Sequence, residues 1–215
     1  MKRQSIPLPS NNDRIPLKRS RTLLCRPLLL LLLTGLNGSA AFAQTLTRWK
    51  GESQIEFSGT STLHQWAGKV NSDPFVAQVT MDETNRPLTL KARVTVQAAK
   101  MDTAEPKRDE NMHRNMQVAL HPLITGLFDS RFERILRETP TPSKLPFTLT
   151  LLGKPLEVEG TIRNWSLNTD RASFDLDFNL SLKQCGIDVP SVLLFIRVGD
   201  EIKLTAHVQL TRIAN

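Results

Sequence analysis

The chain has 215 residues, with 28 Lys or Arg against 21 Asp or Glu and a net charge of +7. Seven of those bases and one of those acids fall in residues 1–43. Residues 44–215 therefore carry 21 against 20, a net charge of about +1, which excludes a basic footprint for nucleic acid there.

The N-terminus reads as a secretory leader. Lys18, Arg19, Arg21 and Arg26 precede six leucines, Leu28 to Leu33, and Ala41-Phe42-Ala43 follows. A basic flank, a short apolar run and an A-x-A site are the parts of a cleaved signal. The run from Pro27 to Leu36 is shorter than the roughly 20 residues a spanning helix needs. Cleavage is expected after Ala43, which makes 1–43 a signal peptide, 44–215 one domain and the periplasm its compartment. Cys25 lies before the leucines, away from the cleavage site, so a lipid-anchored mature end is not expected. Cys185 is then the one cysteine left, which rules out an internal disulfide.

Beyond the leader, Ser53 to Phe57 opens a strand. Gly59-Thr-Ser-Thr-Leu-His-Gln-Trp66 follows, and Ala67 to Val79 reads as more strand, broken near Asp73-Pro74. Leu88, Leu90, Ala92, Val94 and Val96 alternate with polar neighbours, which is the period of a strand with one wet face. Pro106 stands where a helix can begin, and Met112, Met116 and Leu120 at i, i+4 and i+8 predict a helix over Lys107 to Leu120. His121-Pro122 ends it. Arg131 to Ser143, charged and bearing Pro140 and Pro142, reads as a surface loop. Pro146 to Leu152 and Leu156 to Trp165 flank Gly153-Lys154-Pro155 as a hairpin.

Ala172 to Leu182 carries the clearest signal. Phe174, Leu176, Phe178, Leu180 and Leu182 alternate with Ser173, Asp175, Asp177, Asn179 and Ser181. Ser191 to Val198 reads as a further strand. After Gly199-Asp200 the pattern returns at Ile202, Leu204, Ala206, Val208 and Leu210 in a last strand, Glu201 to Ile213. The fold class expected is all-β with one short helix: an elongated antiparallel barrel of about eight strands, a size that either fills its interior or holds one small ligand.

Several motifs together resemble the YceI-like family. They are Gly59-Thr-Ser-Thr-Leu-His64-Gln-Trp66, Lys107-Arg-Asp-Glu-Asn-Met112-His-Arg-Asn-Met116 with His121-Pro122-Leu-Ile124, Leu149 to Val158, and Val198-Gly199-Asp200-Glu-Ile202. The resemblance covers Gln44 to Asn215. It implies a secreted lipocalin-like barrel that binds polyisoprenoid lipids, and a strand after His121-Pro122. The chain departs from many relatives in having His121 before that proline and Thr125-Gly126 where an aromatic is common.

The candidate lipid-binding residues follow. Leu90, Ala92 and Val94, then Phe174, Leu176, Phe178 and Leu180, then Leu204, Ala206 and Val208 lie on the inward faces; a filled core is the plainer reading of the same pattern. His64 and Trp66, at i and i+2, are expected to share a strand face; the imidazole could meet a ligand head group with the indole on its tail, and a histidine satisfied by a neighbouring backbone group is the plainer reading. Arg108, with Lys107 beside it, could meet an anionic head group or simply be a solvated helix end. Met112 and Met116 read as the barrel-facing side of a lid helix.

With His113, His121 and Met101, the same methionines form a soft set that Cu(I) would accept, although methionine also fills irregular apolar gaps. Gly59-Thr-Ser-Thr-Leu lacks the strand-to-helix turn of a nucleophile elbow, and Cys185 has no histidine near it in sequence, so no catalytic residue is assigned. The function expected is periplasmic carriage of an isoprenoid or similar amphiphile, with no cofactor, no metal, no nucleic acid and only transient membrane contact. A monomer and a homodimer are both compatible with this reading. The alternatives are a stress or interaction protein with a filled barrel, and a Cu(I) handler.

Overall fold

In a computed structural model the described residues are 44–84, 86–131, 144–188, 191–192 and 196–214. The leader and its cleavage site, and residues 132–143 of the expected surface loop, lie outside them.

The first strand, β1 (Thr45–Thr60), begins well before Ser53. Its odd residues point inward and are mostly buried, and its even residues face solvent. Opposite it, β2 (Gln65–Asn71) and β3 (Phe75–Met81) share one edge. β3 pairs with Thr45 to Gly51 and β2 with Gln54 to Thr60. The interruption at Asp73-Pro74 falls where the sequence places it, because proline cannot donate to a ladder. Around this break Asp73 N–H donates to the Thr95 carbonyl, and Gln97 Nε2 donates to Asp73 Oδ1 at 2.9 Å.

β4 (Pro87–Gln97) leads through a single 3-10 turn, Ala98–Lys100, to α1 (Pro106–Asn115). Glu105 caps the helix by accepting the Lys107 N–H, and Pro106 stands at its first position. The helix is shorter than the methionine–leucine spacing predicts. Met116 is already its C-cap, Gln117 takes φ 49°, and Leu120 is left 74% exposed. The i, i+4 pattern therefore runs one step past the helix.

Next come β5 (Leu123–Arg131), β6 (Lys144–Leu151) and β7 (Lys154–Leu167). β5 follows from the resemblance but not from periodicity. Its inward series Ile124, Gly126, Phe128, Ser130 contains a glycine and a serine, while Leu123 and Leu127 face solvent. Arg131, read as the start of a loop, closes this strand. The β6–β7 hairpin turns at Leu152-Gly153, with φ 50° and 71°, the two-residue geometry whose twist matches the strands. Lys154 and Pro155, expected in that turn, already pair with Leu151 and Thr150.

β8 (Arg171–Ser181) and β11 (Glu201–Arg212) complete the wall. The expected strand Ser191 to Val198 is instead a minimal ladder, β9 (Ser191–Val192) with β10 (Ile196–Arg197). The neighbours run β1-β3-β4-β5-β6-β7-β8-β11 and back to β1, a closed antiparallel barrel of eight strands with β2 alongside the second half of β1. Closure leaves the eight wall strands without a free edge.

Candidate functional site

The inward faces of these eight strands enclose a cavity of about 690 Å3, within the roughly 300–1,000 Å3 of small-molecule sites. The interior is not a filled core. One end is plugged by large rings and aliphatics, with Trp49 and Leu145 almost fully buried beside Trp165, Leu167 and Leu210. Trp49 Nε1 donates to Thr47 Oγ1 at 2.9 Å, and Thr47 Oγ1 donates to the Val79 carbonyl at 2.9 Å. This relay pairs the buried Trp49 indole N–H and the Thr47 hydroxyl.

The walls contain the residues the alternation picks out. Leu90, Ala92 and Val94 of β4 border the cavity, as do Phe174, Leu176, Phe178 and Leu180 of β8 and Leu204, Ala206 and Val208 of β11. Register explains why these sets meet: Leu204, Ala206 and Val208 pair directly with Phe178, Leu176 and Phe174. Aromatic rings from other strands interlock with them. Phe147 of β6 stacks on Phe128 of β5 at 4.8 Å and meets Phe178 edge-on at 5.2 Å, and Trp165 of β7 lies 5.6 Å from Phe174.

Sequence reasoning passed over β1, β3, β5, β6 and β7 as lining. Ser53, Ile55 and Phe57, then Phe75, Phe128 and Phe147, all border the cavity. The available signal was Phe147-Thr-Leu149-Thr-Leu151, whose alternation is as clean as that of β8. In β1 the inward glycines interrupt it: Gly51 lies directly under the Phe75 ring, leaving no room for a Cβ.

The opposite end is where polar groups gather. His64 and Trp66 do not share a strand face as expected. Residues 61–64 form the β1–β2 turn. Its Ser61 N–H and Oγ both donate to the His64 carbonyl at 2.9 Å, and the His64 N–H donates to Ser61 Oγ at 3.2 Å. A serine opening a turn satisfies the backbone locally and so competes with the ladder. His64 is consequently exposed at the rim, yet it borders the cavity. Trp66 is in β2, half-buried, edge-on to Phe57 at 6.3 Å.

The backbones of Lys69 and Asp102 exchange hydrogen bonds of 2.8 and 3.0 Å, tying the approach to α1 to β2. From there α1 reaches across the rim to Ala98, Leu151, Leu152, Cys185 and Ile187, among which Met116 is buried and Met112 half-buried. Both methionines border the cavity, as do Glu105, Lys107, Arg108, Asn111 and Asn115. Arg108 has no ion pair among the described residues. The structure thus brings every predicted site residue to the wall or rim of one cavity and puts the cationic ones at one end.

The methionines of the soft set lie in one apolar cluster. Met101, Met112 and Met116 pack with Val118, Ile124 and Leu152, and His113 Nε2 donates to the Met101 carbonyl at 3.0 Å. Among the described residues no group of three His, Cys, Asp or Glu side chains could hold a metal ion. Cys185 is 1% exposed; burial, and then the Asp200 carboxylate, push its thiol pKa up and keep it protonated. Asp200 itself is held below the ordinary carboxylate range by the Lys183 N–H and the Ser181 hydroxyl, which tie the end of β8 to the turn before β11.

Comparison with solved structures finds proteins similar to this chain. BcnA from Burkholderia cenocepacia is similar, with a TM-score of 0.54 and 16% identity over 73% of this chain and 95% of that one. A polyisoprenoid binding domain from Saccharophagus degradans, implicated in plant cell wall breakdown, aligns with a TM-score of 0.47 and 9% identity, over 79% of this chain and 100% of that one. A mutant Campylobacter jejuni YceI protein aligns with a TM-score of 0.49 and 16% identity, over 69% and 85%. No curated protein sequence matches the chain. A model of the YceI-like domain matches residues 49–210, from Trp49 in β1 to Leu210 in β11, and the chain belongs to that family.

Proposed function

We propose that this protein binds an isoprenoid or similar amphiphilic lipid inside its barrel and carries it, with no chemistry on the ligand. The observation that carries this reading is the cavity: plugged by apolar rings at one end, apolar along its walls, and fringed by His64, Lys107 and Arg108 at the other. An amphiphile fits such a vessel tail first. Burying about 400 Å2 of its apolar surface contributes about 10 kcal/mol at ~25 cal/mol per Å2, before ordering costs are subtracted. That margin supports tight binding without a catalytic group.

The leader adds export to the periplasm and cleavage after Ala43 to this proposal, and transient contact of the polar-rimmed end with a membrane is how a lipid would be exchanged. The filled-barrel alternative has less support, since the interior keeps its open space. A Cu(I) role has less support too, since the thioethers pack against aliphatic side chains.

Native mass spectrometry of the exported protein tests the proposal. The expected spectrum shows a chain starting at Gln44 with an added lipid mass that organic extraction removes. A bare chain that also takes up no added amphiphile would overturn lipid carriage. An N-terminus upstream of Ala40 would overturn the export route alone.

A further inference from the structure

The cavity wall contains one oxygen that the protein leaves alone. Ser53 belongs to the inward series of β1 between Gly51 and Ile55, borders the cavity, and is 7% exposed. Its backbone is fully engaged: the N–H donates to Ser72 Oγ at 3.1 Å, and the carbonyl accepts the Ser72 N–H at 2.8 Å. Its side chain is not. Ser53 Oγ is the buried side-chain oxygen or nitrogen without a hydrogen-bond partner among the described residues. Buried hydroxyls are nearly always satisfied, so one that is not points to a partner from outside the chain.

We infer that Ser53 is a specificity residue that hydrogen-bonds an uncharged oxygen carried on the apolar body of the ligand. This rests on the lipid-carrier reading and narrows its ligand class, from any apolar chain to a chain bearing a hydroxyl, carbonyl or ether oxygen. The surroundings make the point sharp. Val208 pairs with Ser53 across β11 and Phe174 with Val208 across β8, so the cavity at this depth is otherwise hydrocarbon.

In the ligand-free barrel the oxygen has essentially no water-accessible surface. Reaching a ligand oxygen therefore takes a change of χ1 to another of the staggered wells, which needs no movement of the backbone. The depth is also defined. Ser53 lies six residues along β1 from Gly59, at the polar-rimmed end. At ~3.3 Å per residue and a strand tilt of ~40°, that is roughly 15 Å along the barrel axis. A ligand with its head group at the rim would carry its second oxygen about that far down its chain.

The test compares the lipid-stripped protein with its Ser53→Ala variant, using stearic acid and a set of hydroxystearic acids that differ only in which carbon carries the hydroxyl. Affinity is read from tryptophan fluorescence, since Trp66 and Trp165 border the cavity. The native protein should bind the best-placed hydroxystearic acid roughly three- to tenfold tighter than stearic acid, the worth of one hydrogen bond. Ser53→Ala should bind stearic acid at least as well and lose the preference. Because the substitution removes an unpaired buried hydroxyl, it should also raise the Tm of the empty protein.

A native protein without a positional preference, or a preference that survives Ser53→Ala, would overturn the inference while leaving lipid carriage standing. A lower Tm for Ser53→Ala would overturn it as well, by showing that the hydroxyl already has a partner in the empty barrel. Failure of every fatty acid to bind would reject the carrier reading and this inference together.

Discussion

Trp66 of β2 lies across Gly59 of β1. A methyl group on Gly59 would stand 2.6 Å from the indole Cζ2 and 2.9 Å from Ile202 Cδ1. The glycine is what lets the ring lie flat against the wall at the rim, edge-on to Phe57, instead of standing in the opening. Gly59→Ala should therefore overpack this corner at a cost of about 1–3 kcal/mol. The indole would be pushed toward the lumen, slowing lipid uptake and shifting the tryptophan emission. Thermal unfolding and stopped-flow fluorescence check this; an unchanged Tm together with an unchanged uptake rate would show that Gly59 is not what seats Trp66.

Ala206 sits at mid-wall between Ile55 of β1 and Leu176 of β8, all three bordering the cavity. Ala206→Trp puts an indole into that space without adding charge. The variant should keep the far-UV circular dichroism of a barrel and lose most of its lipid, as read by native mass spectrometry. Full lipid occupancy in a normally folded Ala206→Trp would mean that the ligand lies elsewhere.

How much of this was legible in the sequence differs from strand to strand. β4, β8 and β11 announce themselves because their inward positions hold Leu, Ile, Val, Phe or Ala without a break, and those strands supply the predicted wall residues. β1 and β5 do not, because glycines on their inward faces make room for neighbouring rings. Gly51 under Phe75 and Gly126 beside Phe128 blank the alternation where the packing is tightest. His64 was misplaced for a related reason. The strand pattern continues through Gly59-Thr60, and only the local hydrogen bonding of Ser61 ends it. Ser53 could not be singled out from sequence, since an unpaired oxygen is a property of its neighbours.

The outer surface holds an acid-sensitive contact. On β8, burial raises the pKa of Asp175. The Asn164 Nδ2 donor at 2.6 Å, the His207 Nδ1 donor at 2.7 Å, and the charges of His207 and Arg163 together outweigh it, so the net shift is downward. A carboxylate with a depressed folded pKa contributes stability that is complete above its unfolded value, near 3.9. That contribution is lost as pH falls through the folded value. Asp175→Asn should thus lower Tm at neutral pH by at most about 2–4 °C, for a half-buried surface contact worth under about 1 kcal/mol. Below the folded pKa the two proteins should converge. A Tm gap that stays constant down to the most acidic pH would rule out ionisation of Asp175 as the cause.

α1 is the element best placed to open. A lipid must pass into a closed barrel, and the strand ladders resist parting, whereas α1 contains no fully buried residue and lies over the rim through Met112 and its C-cap Met116. Flexible thioethers suit a surface that closes both on a ligand and without one. Met112→Leu combined with Met116→Leu conserves apolar volume and removes both sulfurs, so the double variant separates a lid from a Cu(I) site. It should fold within about 1.5 kcal/mol of the native protein, and it should keep its lipid. Hydrogen exchange gives the second reading: backbone amides of α1 should exchange faster than those of β8 and β11 in the empty protein, and slow when lipid is bound. Cu(I) binding that the double variant abolishes would assign these methionines to the metal instead. Exchange in α1 as slow as in the barrel strands, with or without lipid, would place the gate elsewhere.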